Sequence, residues 1–130
     1  MPSITITLDL PDGRMSGHAN GSWRGKAALT KAQRFAACVM ATATGKVPKT
    51  PWAKAVVSIR FFLGSRKRRD VLNLVNGCKP LLDGIVDAGI ISDDSWEVLS
   101  VGSITCQLDK SNPRAEIVLE RHNCDKDKNL

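Results

Sequence analysis

The stretch from Asp70 to Ala88 constrains this chain most. Leu74, Cys78, Leu81, Leu82, Ile85 and Val86 recur at helical spacing and form one apolar face. A helix with one such face must lie on another layer, so the rest of the chain has to supply that layer. Gly77 and Pro80 fall in the middle and predict a bend or an interruption. Asp70 stands where an N-cap or first-turn residue is expected, and Asp87-Ala88-Gly89 closes the segment. The chain then turns through residues 90–95, IISDDS.

Strand patterns supply the other layer. Ile4, Ile6, Leu8 and Leu10 alternate with Thr5, Thr7 and Asp9 until Pro11-Asp12-Gly13 stops them. Residues 12–25 are polar and Gly-rich, and read as a long loop. From Lys26 to about Thr44 an Ala-rich run keeps helical period, ended by Gly45 and Pro48. Ala53–Leu63 reads as a second strand. Residues 96–108 and 114–121 read as a terminal hairpin joined across DKSNP. Strand, helix, strand, helix, strand, strand is the order of an α+β domain. The expectation is a small mixed β-sheet packed against two main helices, spanning residues 1–121 with a polar tail at 122–130.

Length and composition bound the rest. A chain of 130 residues is about one domain, large enough for a core without disulfide staples. Cys38, Cys78, Cys106 and Cys124 lack zinc-site spacing; the first three fall in apolar patterns and read as reduced core thiols, which fits a cytoplasmic protein. No run approaches the roughly 18 apolar residues of a membrane span, and the N-terminus lacks the pattern of a signal peptide. Nineteen Lys and Arg against thirteen Asp and Glu give a net charge of +6, which favours an anionic partner.

The distribution of charge says more than its sum. Arg66, Lys67, Arg68 and Arg69 run directly into Asp70, and Arg24, Lys26, Lys31 and Arg34 gather in the first third. Basic residues hold a phosphodiester; clustered carboxylates hold a hard divalent cation that activates water. The acids are Asp70, Asp83, Asp93 and Asp94. Asp70 and Asp83 lie thirteen residues apart, about 19 Å along an unbent helix, so such a helix cannot bring both to one ion. Asn73 shares a face with Asp70 and could add a neutral oxygen, and Lys79 lies one turn before Asp83. Each feature also has a plain structural job: Asp70 a cap, Asp93-Asp94 a solvated turn, Lys79–Asp83 a surface pair. His18 and His122 are isolated, Trp23 and Trp52 border linkers, and Trp96 is expected to pack in the hairpin.

With these residues in place, the chain resembles the RusA-type Holliday-junction resolvases, small endodeoxyribonucleases common in prophages. That family's pattern runs R-R-D-x-D-N-L, then K-x-x-x-D-x-L/I, then a turn ending D-D. Here it reads Arg68-Arg69-Asp70-Val71-Leu72-Asn73-Leu74, then Lys79-Pro80-Leu81-Leu82-Asp83-Gly84-Ile85, then Asp93-Asp94. The resemblance reaches from the opening strand to about residue 121. It implies a homodimer in a bacterial host cell that binds four-way DNA and uses Mg2+ or Mn2+ to nick it. By position it makes Asp70 and Asp94 metal ligands, Lys79 the phosphate-contacting lysine, and Asp83 and Asp93 supporting acids. Leu72 stands where the second Asp of D-x-D-N belongs, and three extra residues separate Asn73 from Lys79. Asn73, Asp83 or Asp93 would then complete the coordination. The alternative is a RusA-like protein that lost the metal site at Leu72 and only binds branched DNA.

Overall fold

In the computed structural model the described residues are 2–11 and 23–122, with backbone alone at 23 and 24. The elements are β1 (Ser3–Leu8), α1 (Trp23–Ala43), β2 (Ala55–Leu63), α2 (Val71–Gly77), α3 (Lys79–Ala88), β3 (Leu99–Leu108) and β4 (Arg114–Arg121). They build an α+β fold: one four-stranded mixed sheet, in the order β1-β4-β2-β3, against helices. Of the expected features, His18, Cys124, most of the Gly-rich loop and the tail beyond His122 lie outside the described residues.

The strand pattern explains the order. β1 pairs antiparallel with β4, and β4 antiparallel with β2. Their register stacks three apolar rows on one face: Ile4–Leu119–Val57, Ile6–Ile117–Ile59 and Leu8–Ala115–Phe61. Every one of these side chains is buried. Ala37 and Ala41 of α1, Cys78, and Leu81 and Ile85 of α3 belong to the same cluster, so the helices cover this face.

Residues 96–121 are not a hairpin. β3 pairs with β2 alone, in parallel, and β4 crosses back to lie between β1 and β2. The burial of each strand gives the physical reason. β4 alternates Ala115, Ile117 and Leu119, all fully buried, with Arg114, Glu116, Val118 and Glu120 on the opposite face, which suits a central strand covered on one face. β3 carries no buried residue, which suits an edge. Trp96 precedes β3 rather than packing in it, and is 87% exposed. Cys106 lies exposed on β3 and Cys38 is half-buried; of the three described thiols expected in the core, Cys78 alone is fully buried. Burial pushes the Cys78 thiol up to about 12.

The segment 70–88 is two helices. Pro80 has no N–H to donate, so the ladder ends at Cys78, whose N–H reaches Val75 O at 3.0 Å. The same proline fits the first turn of α3, where a missing N–H costs nothing. Gly89 then ends α3 in the left-handed region, φ 91°, with its N–H on Val86 O. That reversal sends Ile90 and Ile91 into the core and pins the next turn. Trp52 is buried beside it, its N–H donating to Ile90 O and its carbonyl accepting from Ser92 N.

Candidate nucleic-acid interface

β2 ends at Leu63 and α2 begins at Val71; the basic run fills the connection between them. Arg66, Lys67 and Arg68 are exposed, and among the described residues no ion pair engages their side chains. Arg69 behaves differently. Its guanidinium folds onto its own loop, donating to Ser65 O at 3.0 Å, Lys67 O at 3.2 Å and Ser65 Oγ at 3.3 Å. Arg69 thus shapes the loop that presents the other three. Arg66, Lys67 and Arg69 rim a depression of about 360 Å³ whose apolar wall includes Leu63, Val71, Leu74 and Leu108.

Asp70 caps α2. Its backbone is extended (φ −87°, ψ 122°) and its Oδ1 accepts from Leu72 N at 3.0 Å. Leu72 itself is 72% exposed, and Asn73 is half-buried one turn on from the cap. α2 is about 10 Å long and separates this cap from Lys79.

Lys79 opens α3 and joins two acids. Its Nζ donates to Asp83 Oδ1 at 2.8 Å, one turn along the helix, and to Asp94 Oδ2 across the Gly89 turn. The Lys79 ammonium holds the Asp94 carboxyl below its ordinary 3.8, against the opposing effect of partial burial. The same two carboxylates raise Lys79. Asp93 is exposed beside this pair. Lys79, Asp83 and Asp94 come together, whereas the sequence reading pairs Lys79 with Asp83 and sets Asp94 with Asp70; Asp70 caps α2.

This arrangement sets what a metal could find. Mg2+ requires about six oxygen ligands in octahedral geometry, some from water. Among the described residues no group of three or more His, Cys, Asp and Glu gathers closely enough to hold an ion. The two carboxylates that do meet are bridged by an ammonium. The donor set among the described residues therefore does not fit Mg2+ or Mn2+.

The basic residues of α1 divide. Arg34 makes a bidentate pair with Asp87 of α3, Nε to Oδ2 at 2.6 Å and a second nitrogen to Oδ1 at 2.8 Å. That hydrogen-bonded pair raises Arg34 and lowers Asp87. Arg34, expected among the DNA-contacting residues, is thus a tie between α1 and α3. Lys31 is exposed and Lys26 half-buried; the Arg24 side chain lies outside the described residues.

A cluster the sequence reading missed closes the β3–β4 turn. Arg114 bonds Asp109 at 2.9 Å and Glu116 at 3.1 Å, and lies 3.7 Å from the centre of the Phe62 ring. Glu116 also accepts from Arg60 at 3.0 Å. The signal was Asp109 followed by Ser111 and Asn112, which both donate to its Oδ1 in the tight turn.

The Lys79–Asp94 contact carries a pH prediction. A carboxyl lowered by folding stabilises fully above its unfolded value, near 3.9, and that contribution is lost as pH falls through the lower folded value. Urea midpoints of the wild type should therefore decline below about pH 4. Asp94→Asn should flatten that decline and lower stability at pH 7 by about 1 kcal/mol or less, since Lys79 is largely exposed. Parallel acid profiles for the two proteins would show that the contact contributes nothing.

No family model matches the sequence, and no curated protein matches it. Among solved structures, the periplasmic domain of Helicobacter pylori MotB (residues 97–256) is similar at 16% identity and TM-score 0.38. The alignment covers 94% of this chain and 84% of that one. A likeness this loose carries no argument about fold family or function. No described helix is long and apolar enough to cross a membrane.

Proposed function

We propose that this protein binds branched DNA in the manner of a RusA-like homodimer, acting in the cytoplasm of a bacterial cell. One observation supports this above the rest. Arg34, Lys79 and Arg114 are tied to carboxylates, whereas Arg66, Lys67 and Arg68 stand together, exposed and without an ion pair among the described residues. Clustered cations on a loop pinned by Arg69 suit a phosphate backbone, whose contacts release counterions and make affinity fall steeply with salt. The motif order from Arg68 to Asp94 points to junction DNA rather than to polyanions in general. A labelled four-way junction should shift in a native gel and resist competition by linear duplex of the same sequence. Equal competition by duplex would remove the branched-DNA part of the proposal.

Phosphodiester hydrolysis is the second reading, favoured by the convergence of Asp83 and Asp94 on Lys79. Leu72→Asp tests it. The side chain is largely exposed on the first turn of α2, so the change should leave stability within about 0.5 kcal/mol, aided by a carboxylate near a helix N-terminus. If Leu72 is what keeps the site from a full donor set, L72D should cleave the junction with Mg2+ at least tenfold faster than wild type. Cleavage by wild type at an equal rate would show that no acid is missing at Leu72. No product from either protein leaves binding as the function.

A further inference from the structure

We infer that the C-terminal half of β3, Ile104–Leu108, is the edge through which two copies of this chain pair. β3 is open to an unusual degree. Among the described elements it pairs with β2 alone, and none of its ten residues is buried. Its ten residues carry no charge, and no Lys or Pro guards the edge. The other edge strand, β1, is half-finished by comparison, with Ile4, Ile6 and Leu8 buried beneath the helices.

What pairs there must be an extended strand, because an edge presents a row of backbone donors and acceptors. The neutral run points to a second copy. Two molecules of net charge +6 repel, and a strand without charges is where they can approach most closely. An acidic partner would be drawn to the basic loop instead.

The bulge fixes which half pairs. From Val101 to Ile104 β3 takes three steps while β2 takes two, Val57 to Ile59, so the ladder is irregular around Gly102 and Ser103. Irregular edges resist pairing. The regular remainder, Ile104–Leu108, runs abreast of Ile59–Leu63. An antiparallel two-fold through Cys106 pairs all five residues. Ile104 then faces the partner copy across Leu108, Cys106 meets its own equivalent, and Thr105 faces Gln107. One side becomes an apolar row and the other a row of hydrogen-bonding side chains.

Five residues give about 17 Å of strand, too short a contact by itself to bury the roughly 800 Å² per partner of a stable dimer. Val71, 44% exposed on α2, extends the apolar surface, since Val71 and Leu108 line the same depression. The two basic loops would then flank one two-fold axis and form a continuous cationic cleft. Their mutual repulsion makes the pair weak at low salt and stronger when salt screens it.

Sedimentation velocity of the full chain under reducing conditions tests this, from about 1 to about 100 μM protein and from about 50 to about 500 mM salt. Dimer should grow with both variables. Thr105→Lys with Gln107→Lys should leave a folded monomer, and Ser100→Lys, beyond the bulge, should dimerise as wild type. A second arm does not depend on those variants. Copper phenanthroline, taking two electrons and two protons from a thiol pair, should give a disulfide-linked dimer that Cys106→Ser loses and Cys124→Ser keeps. A wild-type monomer throughout, a dimer that survives both lysines, or a cross-link indifferent to Cys106 would each overturn the assignment. No DNA is present, so a monomer here removes the homodimer from the proposed function, on which this pairing rests, but not the DNA binding, and failure to bind DNA leaves this edge intact.

Discussion

Gly84→Val should lower the melting temperature by roughly 10 °C or more. A Cβ at Gly84 would sit 2.2 Å from Arg34 O, 2.8 Å from Ala37 Cβ and 3.0 Å from Cys38 N. Two of those neighbours are backbone atoms of α1, which cannot turn aside as a side chain can. The helices must move apart, and α1 loses its seat at Ala37 and Ala41, both fully buried. Overpacking of this kind costs about 3 kcal/mol, and each kcal/mol shifts the melting point of a domain this size by about 4 °C. Separation also stretches the Arg34–Asp87 pair, so Arg34→Ala in the Gly84→Val background should cost less than it does alone. A thermal scan showing a change under about 3 °C would mean that α1 and α3 are not packed as described.

Arg66→Ser, Lys67→Ser and Arg68→Ser together should weaken DNA binding by two to three orders of magnitude near 0.1 M salt, at about eightfold for each phosphate left without its cation. The salt slope should fall by about 2.7, three phosphates at about 0.9 each. Stability should barely change, because these side chains are exposed and hold no ion pair among the described residues. Arg69→Ser is the informative contrast. It removes three hydrogen bonds within the loop, so it should weaken binding by disordering its neighbours, beyond the effect of removing a single cation.

Much of the fold could be read from local pattern, because local pattern is what makes an element. Alternation marked β1 and β2, helical spacing marked α1 and the 70–88 segment, and Gly77 with Pro80 marked the break. Adjacency in the sheet could not be read the same way. β3 and β4 follow one another across a short turn, and nearness along the chain suggests a pairing that the sheet does not make. The correcting signal is present in RAEIVLER: Ala115, Ile117 and Leu119 form one buried row while Arg114, Glu116 and Glu120 place charge on the other face, and residues 99–108 show no such row. Trp96 and Cys106 are exposed for the same reason: half of a buried hairpin would cover its apolar residues, and an edge strand does not.

The candidate site divides along the same line. Asp70 as a cap and Lys79 with Asp83 are separated by no more than a turn from what they touch, and both were visible in the spacing. Asp94 reaches Lys79 only because Gly89 reverses the chain with a positive φ. Arg34 and Asp87 are 53 residues apart and meet through helix packing that no local pattern encodes. Hence Arg34, expected at the DNA, is held in a pair with Asp87 that ties α1 to α3.

The most direct measurement of the central claim is fluorescence anisotropy of a labelled four-way junction titrated with the full chain across a salt series. Binding through the Arg66–Arg68 loop predicts a wild-type log–log slope steeper than that of the triple serine protein by about 2.7, with tighter binding to the junction than to linear duplex. Equal slopes for the two proteins, at equal affinity, would contradict it.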